Sequence, residues 1–196
     1  LRVGAVTPMA LAAAMCFAGV ANAATTVNWS CQGTVLGVSQ TSSMNTSVDG
    51  AAPASVTAGS PVAITLTPGS SSVPSSASGF TVTNISNLKM IIPVPANSTF
   101  VSTSTSGGTV SGSAALVGSD VVLTVPGPIS GGSSFTPPAV TINVTANAPG
   151  TITSKYAGTS YSSPGMTMTT RVSPGINVAT SCYPNPSPTL TTTNVT

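Results

Sequence analysis

PVAITLTPG, residues 61–69, alternates strictly: Val62, Ile64 and Leu66 fall on one face, Ala63, Thr65 and Thr67 on the other. Successive side chains of a β-strand point to opposite sides, so this stretch reads as a strand with one buried face. Pro68-Gly69 ends it.

The same period of two recurs outward in both directions. Val27, Trp29 and Cys31 alternate, then more weakly Met44, Thr46 and Val48. Phe80 and Val82 lead to Leu88, Met90, Ile92 and Val94, and Phe100 starts a further run. Val121, Leu123 and Val125 stop at Pro126-Gly127-Pro128, and Val140, Ile142 and Val144 run towards Pro149-Gly150. Ile152, Ser154 and Tyr156 follow. Met166 and Met168 stand between two Ser-Pro-Gly turns, at 163–165 and 173–175, and Ile176, Val178, Thr180 and Cys182 close the series. About ten short period-two runs with turn signals between them, and no helical stretch after residue 23, predict an all-β fold: a single antiparallel β-sandwich.

Composition bounds the rest. The chain has 196 residues, enough for one domain with its own core. Only 3% of residues are charged, while 31 serines and 31 threonines supply the polarity. Regular Val, Ile and Leu content separates this chain from a disordered one, which lacks the apolar surface to offset ordering entropy.

Residues 1–23 have the layout of a secretory signal peptide. Arg2 is the positive start, Met9 to Val20 an apolar run, and Ala21-Asn22-Ala23 a small-x-small cleavage pattern. Cleavage is expected between Ala23 and Ala24, leaving a domain over 24–182 and a Pro/Thr-rich C-terminal tail over 183–196. The run is too short for a stable bilayer anchor, so no membrane span is expected after cleavage. Ala13-Ala14-Met15 before Cys16 fits a lipid-attachment signal poorly.

Beyond residue 23 the charged side chains are Lys89, Lys155, Arg171, Asp49 and Asp120. No basic patch arises, and nucleic acid is not an expected partner. With no histidine in the chain, Ser-His-Asp and Cys-His catalysis and histidine metal sites are excluded. Asp49-Gly50 reads as a hairpin signal and Asp120 as a strand entrance, so this pair is assigned to turns. Ser86-Asn87-Leu88-Lys89 matches the S-x-x-K of penicillin-binding proteins, but strand alternation would put Ser86 and Lys89 on opposite faces. Tyr161 and Tyr183, in turn and tail, are the aromatics expected at the surface, where a saccharide can stack.

Cys31 and Cys182 remain once Cys16 is removed with the leader. An even number in an exported chain predicts one disulfide. Both share the apolar face of their strands, so the bridge is expected to join the first and last strands, with a crossing of the sandwich as one route, and Trp29 packed beside it.

PASVTAGSPVAITL (53–66) is similar to the opening strands of secreted bacterial Ig-like domains. IIPVPANSTFVSTSTSGG (91–108) and TVPGPISGGSSFTPPAVTINVTA (124–146) resemble segments of bacterial surface Ig-like repeats. The chain from residue 24, with WSC near its start and CYPNPSP near its end, resembles a group of exported proteins of uncharacterised function from mycolate-bearing actinobacteria. The resemblance implies a disulfide-closed Ig-like sandwich in the cell envelope, with no catalytic residues to carry over.

The expectation is a secreted or envelope-held, non-enzymatic structural or binding module without a cofactor, its partners cell-wall or other envelope components. The alternative is a carrier of a lipid or other apolar ligand, with Met90, Met166 and Met168 lining a cavity. A serine hydrolase-like enzyme is the remote one.

Without His or Glu, few side chains titrate between pH 5 and 8. The melting temperature is therefore expected to be nearly constant across that range; a shift of about ten degrees contradicts this reading.

Overall fold

The computed structural model describes residues 20–21 and 24–196, among which all regular structure is strand. The expected leader, residues 1–23 with its Ala21–Ala23 cleavage motif, lies outside these residues except for Val20–Ala21, a two-residue strand paired with Ala51–Ala52.

Twelve strands of five residues or more carry the fold: β1 Thr25–Val35, β2 Val38–Ala52, β3 Pro61–Pro68, β4 Phe80–Pro93, β5 Ser98–Ser106, β6 Ser113–Val117, β7 Asp120–Val125, β8 Ala139–Ala146, β9 Gly150–Ser154, β10 Met166–Val172, β11 Ile176–Pro184 and β12 Thr191–Val195. Ten of them form one antiparallel path in the order β6-β7-β4-β10-β11-β1-β2-β3-β8-β5. The sheet curls over itself in a sandwich-like, nearly barrel-like arrangement. Its two edge strands approach across a seam where Thr105 Oγ1 of β5 donates to the Gly112 carbonyl just before β6, at 3.2 Å.

The buried faces are those the alternation marks. Val62, Ile64 and Leu66 of β3, Val140, Ile142 and Val144 of β8, Leu88, Met90 and Ile92 of β4, and Val121, Leu123 and Val125 of β7 all enter one core. Fully burying a side chain of this kind contributes roughly 1.5–3 kcal/mol, which makes these faces the main driving force for the curl.

The disulfide is made within the sheet and does not cross the sandwich. Cys31 and Cys182 are directly opposite on neighbouring strands β1 and β11, with their Cα atoms 4.0 Å apart. Trp29, two residues before Cys31, faces the same interior and lies opposite Pro184 on one side and Met44 on the other. Its indole Nε1–H donates to Thr46 Oγ1 at 2.9 Å, which gives both buried groups a partner. The Tyr156 ring sits 5.2 Å away at a tilt of 54°. Burial pushes the Tyr156 phenol well above the usual tyrosine range.

Two sequence expectations change. Asp49-Gly50 is not a hairpin turn: the pair lies inside β2, opposite Thr67 and Leu66 of β3. Glycine is required there because the Leu190 carbonyl crosses where a Cβ would stand. The hairpin turn is Leu36-Gly37, joining β1 to β2 with both residues left-handed (φ 49° and 81°).

The boundary expected between residues 182 and 183 falls inside β11. The Pro/Thr-rich segment continues as β12, the middle of a second, three-stranded sheet between β9 and Ser55–Val56. Thr191, Thr193 and Val195 are buried, a period-two pattern that threonine masks in the sequence, and Leu190 is buried just ahead of it.

Replacing Cys31 and Cys182 together by alanine is expected to lower unfolding free energy by up to about 5 kcal/mol, because the bridge closes a loop with a sequence separation of 151. Denaturant titration checks this, and a loss below about 1 kcal/mol contradicts it. At high pH the sign follows from Tyr156. Its folded pKa is raised, so its contribution is complete below the unfolded value of about 10 and is lost as pH rises towards the folded one. Tyr156→Phe is expected to flatten the fall in stability above about pH 10.

Candidate functional site

A cleft of about 540 Å³ opens into the sandwich between the main sheet and a strap formed by residues 70–78. Its back wall is the interior face of four adjacent strands. Cys31, Gly33 and Val35 come from β1, Val178 and Thr180 from β11, Met168, Thr170 and Val172 from β10, and Val82 and Ile85 from β4. The long β1–β2 hairpin supplies one lip, residues 40–45, in which Gln40 and Met44 are half-buried and Thr41, Ser42, Ser43 and Asn45 are exposed.

The strap has no strong hydrophobic signal and is held by backbone pairing at both ends. Ser71–Ser72 pairs with Ser134–Phe135, and Val73 exchanges bonds with Ser133 and Gly132. Ser76–Ala77 pairs with Phe80–Thr81 around the left-handed turn Ser78-Gly79. Ser72, Pro74, Ser76, Ala77 and Ser78 thereby line the cleft on the side facing the back wall.

A smaller recess of about 50 Å³ adjoins the cleft. Met44, Ser72, Pro74, Ile85 and Met168 line both spaces and so form the partition between them. Deeper in stand Leu88, Met90, Phe135 and Met166. The structure thus brings Met90, Met166 and Met168 together, as the carrier alternative anticipated, and adds Met44. Thioether side chains are flexible and polarizable, so a partition built on Met44 and Met168 yields to a guest more readily than one of branched residues.

Among the described residues, no side chain lining either space is ionisable. Two of the hydroxyls on the back wall satisfy each other, Thr170 Oγ1 and Thr180 Oγ1 being 2.9 Å apart, which leaves that wall less polar than its composition suggests. Ser71, at the recess, differs: it is 7% exposed and its hydroxyl has no hydrogen-bond partner.

The other candidates lie elsewhere. Ser86 and Lys89 do not fall on opposite faces. Strand β4 carries an irregularity at Asn87, left-handed at φ 51°, and the two residues stand opposite Thr169 and Thr167 on one outward face of β10. That face is remote from the lining of the cleft. Asp49 lies mid-strand on β2 and Asp120 opens β7, and among the described residues no group of three His, Cys, Asp or Glu side chains assembles for a metal ion. Tyr161 and Tyr183 meet edge to face, centroids 5.1 Å apart, both partly exposed. No helix among the described residues is long and apolar enough to cross a membrane.

Sequence reasoning missed Met44's place in the partition and the whole strap. Met44 was visible as part of a weak strand, but the strap is placed by pairing with residues about sixty positions away, which no local pattern encodes.

No family model and no curated protein matches the sequence. In fold the chain is similar to a crystal structure from Corynebacterium diphtheriae described as "Putative membrane anchored protein", with a TM-score of 0.57 and 19% identity. The match covers 89% of this chain and 38% of that one, so this chain spans well under half the length of its neighbour. At that identity the likeness concerns the fold.

Proposed function

We propose that this chain is an exported, envelope-associated, non-enzymatic Ig-like module that binds an apolar ligand in the cleft beneath the strap. The observation that carries the reading is the cleft with its adjoining methionine-lined recess. A well-packed interior leaves few voids larger than a water molecule, whereas ligand sites typically enclose about 300–1,000 Å³ of mainly apolar space. The cleft falls in that second class. Export is supported by the leader-like residues 1–23 and by the disulfide, which suits an oxidising compartment. The description of the structural neighbour agrees with a place at the envelope. A hydrolase reading would rest on Ser86 and Lys89, and these lie outside the cleft lining.

The test is native mass spectrometry of the full chain purified without detergent, combined with titration by alkyl-chain probes. Bound apolar molecules are expected, as is a loss of about tenfold or more in probe affinity when Met168→Trp fills the partition, with the melting temperature little changed. A chain that carries no ligand and binds no alkyl probe overturns the reading. Unchanged affinity in a folded Met168→Trp chain removes the site from this cleft.

A further inference from the structure

Resting on the cleft as a ligand site, we infer that its occupant is a neutral amphiphile: one apolar chain carrying an uncharged hydroxyl or ester head, not a carboxylate, phosphate or quaternary ammonium lipid. Three features of the lining carry this.

The first is charge. Among the described residues, neither the cleft nor the recess presents a cation or an anion. Arg171 stands next to Thr170, but strand alternation sends it outward, and it is exposed. Lys89 is likewise exposed, on the outward face of β4. A charged head entering this space would lose hydration without gaining a counter-ion, the costly case for any buried charge.

The second is the lip. Gln40, Thr41, Ser42, Ser43 and Asn45 offer amides and hydroxyls, each able to donate and to accept. That set matches a head of hydroxyls, which needs both, better than an acceptor-only anion or a cation with no acceptors.

The third is Ser71. An unpartnered buried hydroxyl is uncommon and unfavourable, and this one borders the recess next to Ser72 of the partition. A ligand oxygen seated past the lip, such as an ester carbonyl, supplies the acceptor that the protein itself does not. The unpartnered hydroxyl of Thr193 belongs to β12 in the second sheet and lines neither space. The chain of the ligand then displaces Met44 and Met168 and lies against Met90, Met166 and Phe135.

Trp29 reports occupancy, because it is the only tryptophan and stands directly opposite Met44 in the β1–β2 ladder. The delipidated full chain is titrated with a brominated alkyl probe that quenches this fluorescence. The probe is then displaced by monolauroylglycerol, laurate or lauryltrimethylammonium near pH 8, where laurate is ionised. Monolauroylglycerol is expected to bind at least about tenfold more tightly than either charged competitor. Ser71→Ala is expected to weaken monolauroylglycerol by about threefold to tenfold without lowering the melting temperature, since it removes an unsatisfied group. Equal or tighter binding of laurate or the ammonium overturns the neutral-head inference and leaves the apolar site standing. Failure of all three lipids and of the probe overturns the site itself. Unchanged affinity in Ser71→Ala overturns the assigned contact.

Discussion

The fold depends on one ladder. Counted along the main sheet, five strands lie on each side of the β11–β1 pairing: β6, β7, β4, β10 and β11 on one, β1, β2, β3, β8 and β5 on the other. The sheet path is continuous only because a strand near the start of the chain pairs with one near its end. Such non-local pairing is entropically slow to form and costly to hold. Cys31–Cys182 lies in that ladder and makes the join covalent. The same strands form half of the cleft's back wall, so the bridge fixes the shape of the site as well as the topology.

Polarity without charge is the second constraint. Among the described residues hydroxyls make the polar links between strands: Thr65 to Thr141 across β3 and β8, Thr170 to Thr180 across β10 and β11, and Thr46 to the buried indole of Trp29. A hydroxyl both donates and accepts, so neighbouring strands satisfy one another in pairs and leave apolar walls behind. This is how a chain so rich in serine and threonine builds a continuous core and a hydrophobic cleft. Where the pairing fails, at Ser71, a donor is left without a partner at the edge of the recess.

Much of this was legible in the sequence and some was not, for definite reasons. Period-two alternation located the core faces of β3, β7, β8 and β11, because burial on one side forces it. The two cysteines were legible from number and register, but not the direct pairing of their strands, which depends on the whole strand order. Asp49-Gly50 misled because glycine serves turns and close backbone crossings alike, and only the position of Leu190 tells them apart. The bulge at Asn87 reversed the expected separation of Ser86 and Lys89, since one extra residue shifts every side chain beyond it to the other face. Three of the four methionines were flagged as possible lining, yet the void they border exists only because the strap arches over them.

The position of the disulfide also has a mechanical meaning. If tension is applied through the segments that flank the domain, the force passes from Cys31 to Cys182 through sulfur and bypasses the loop between them. The chain can then lengthen only by unpeeling what lies outside the bridge: the first residues of β1, the end of β11, and β12 stripped from β9 and Ser55–Val56. Within the loop, the recess and most of the cleft wall lie off that covalent path. Built this way, the domain is an inextensible link whose candidate cleft lies off the line of force.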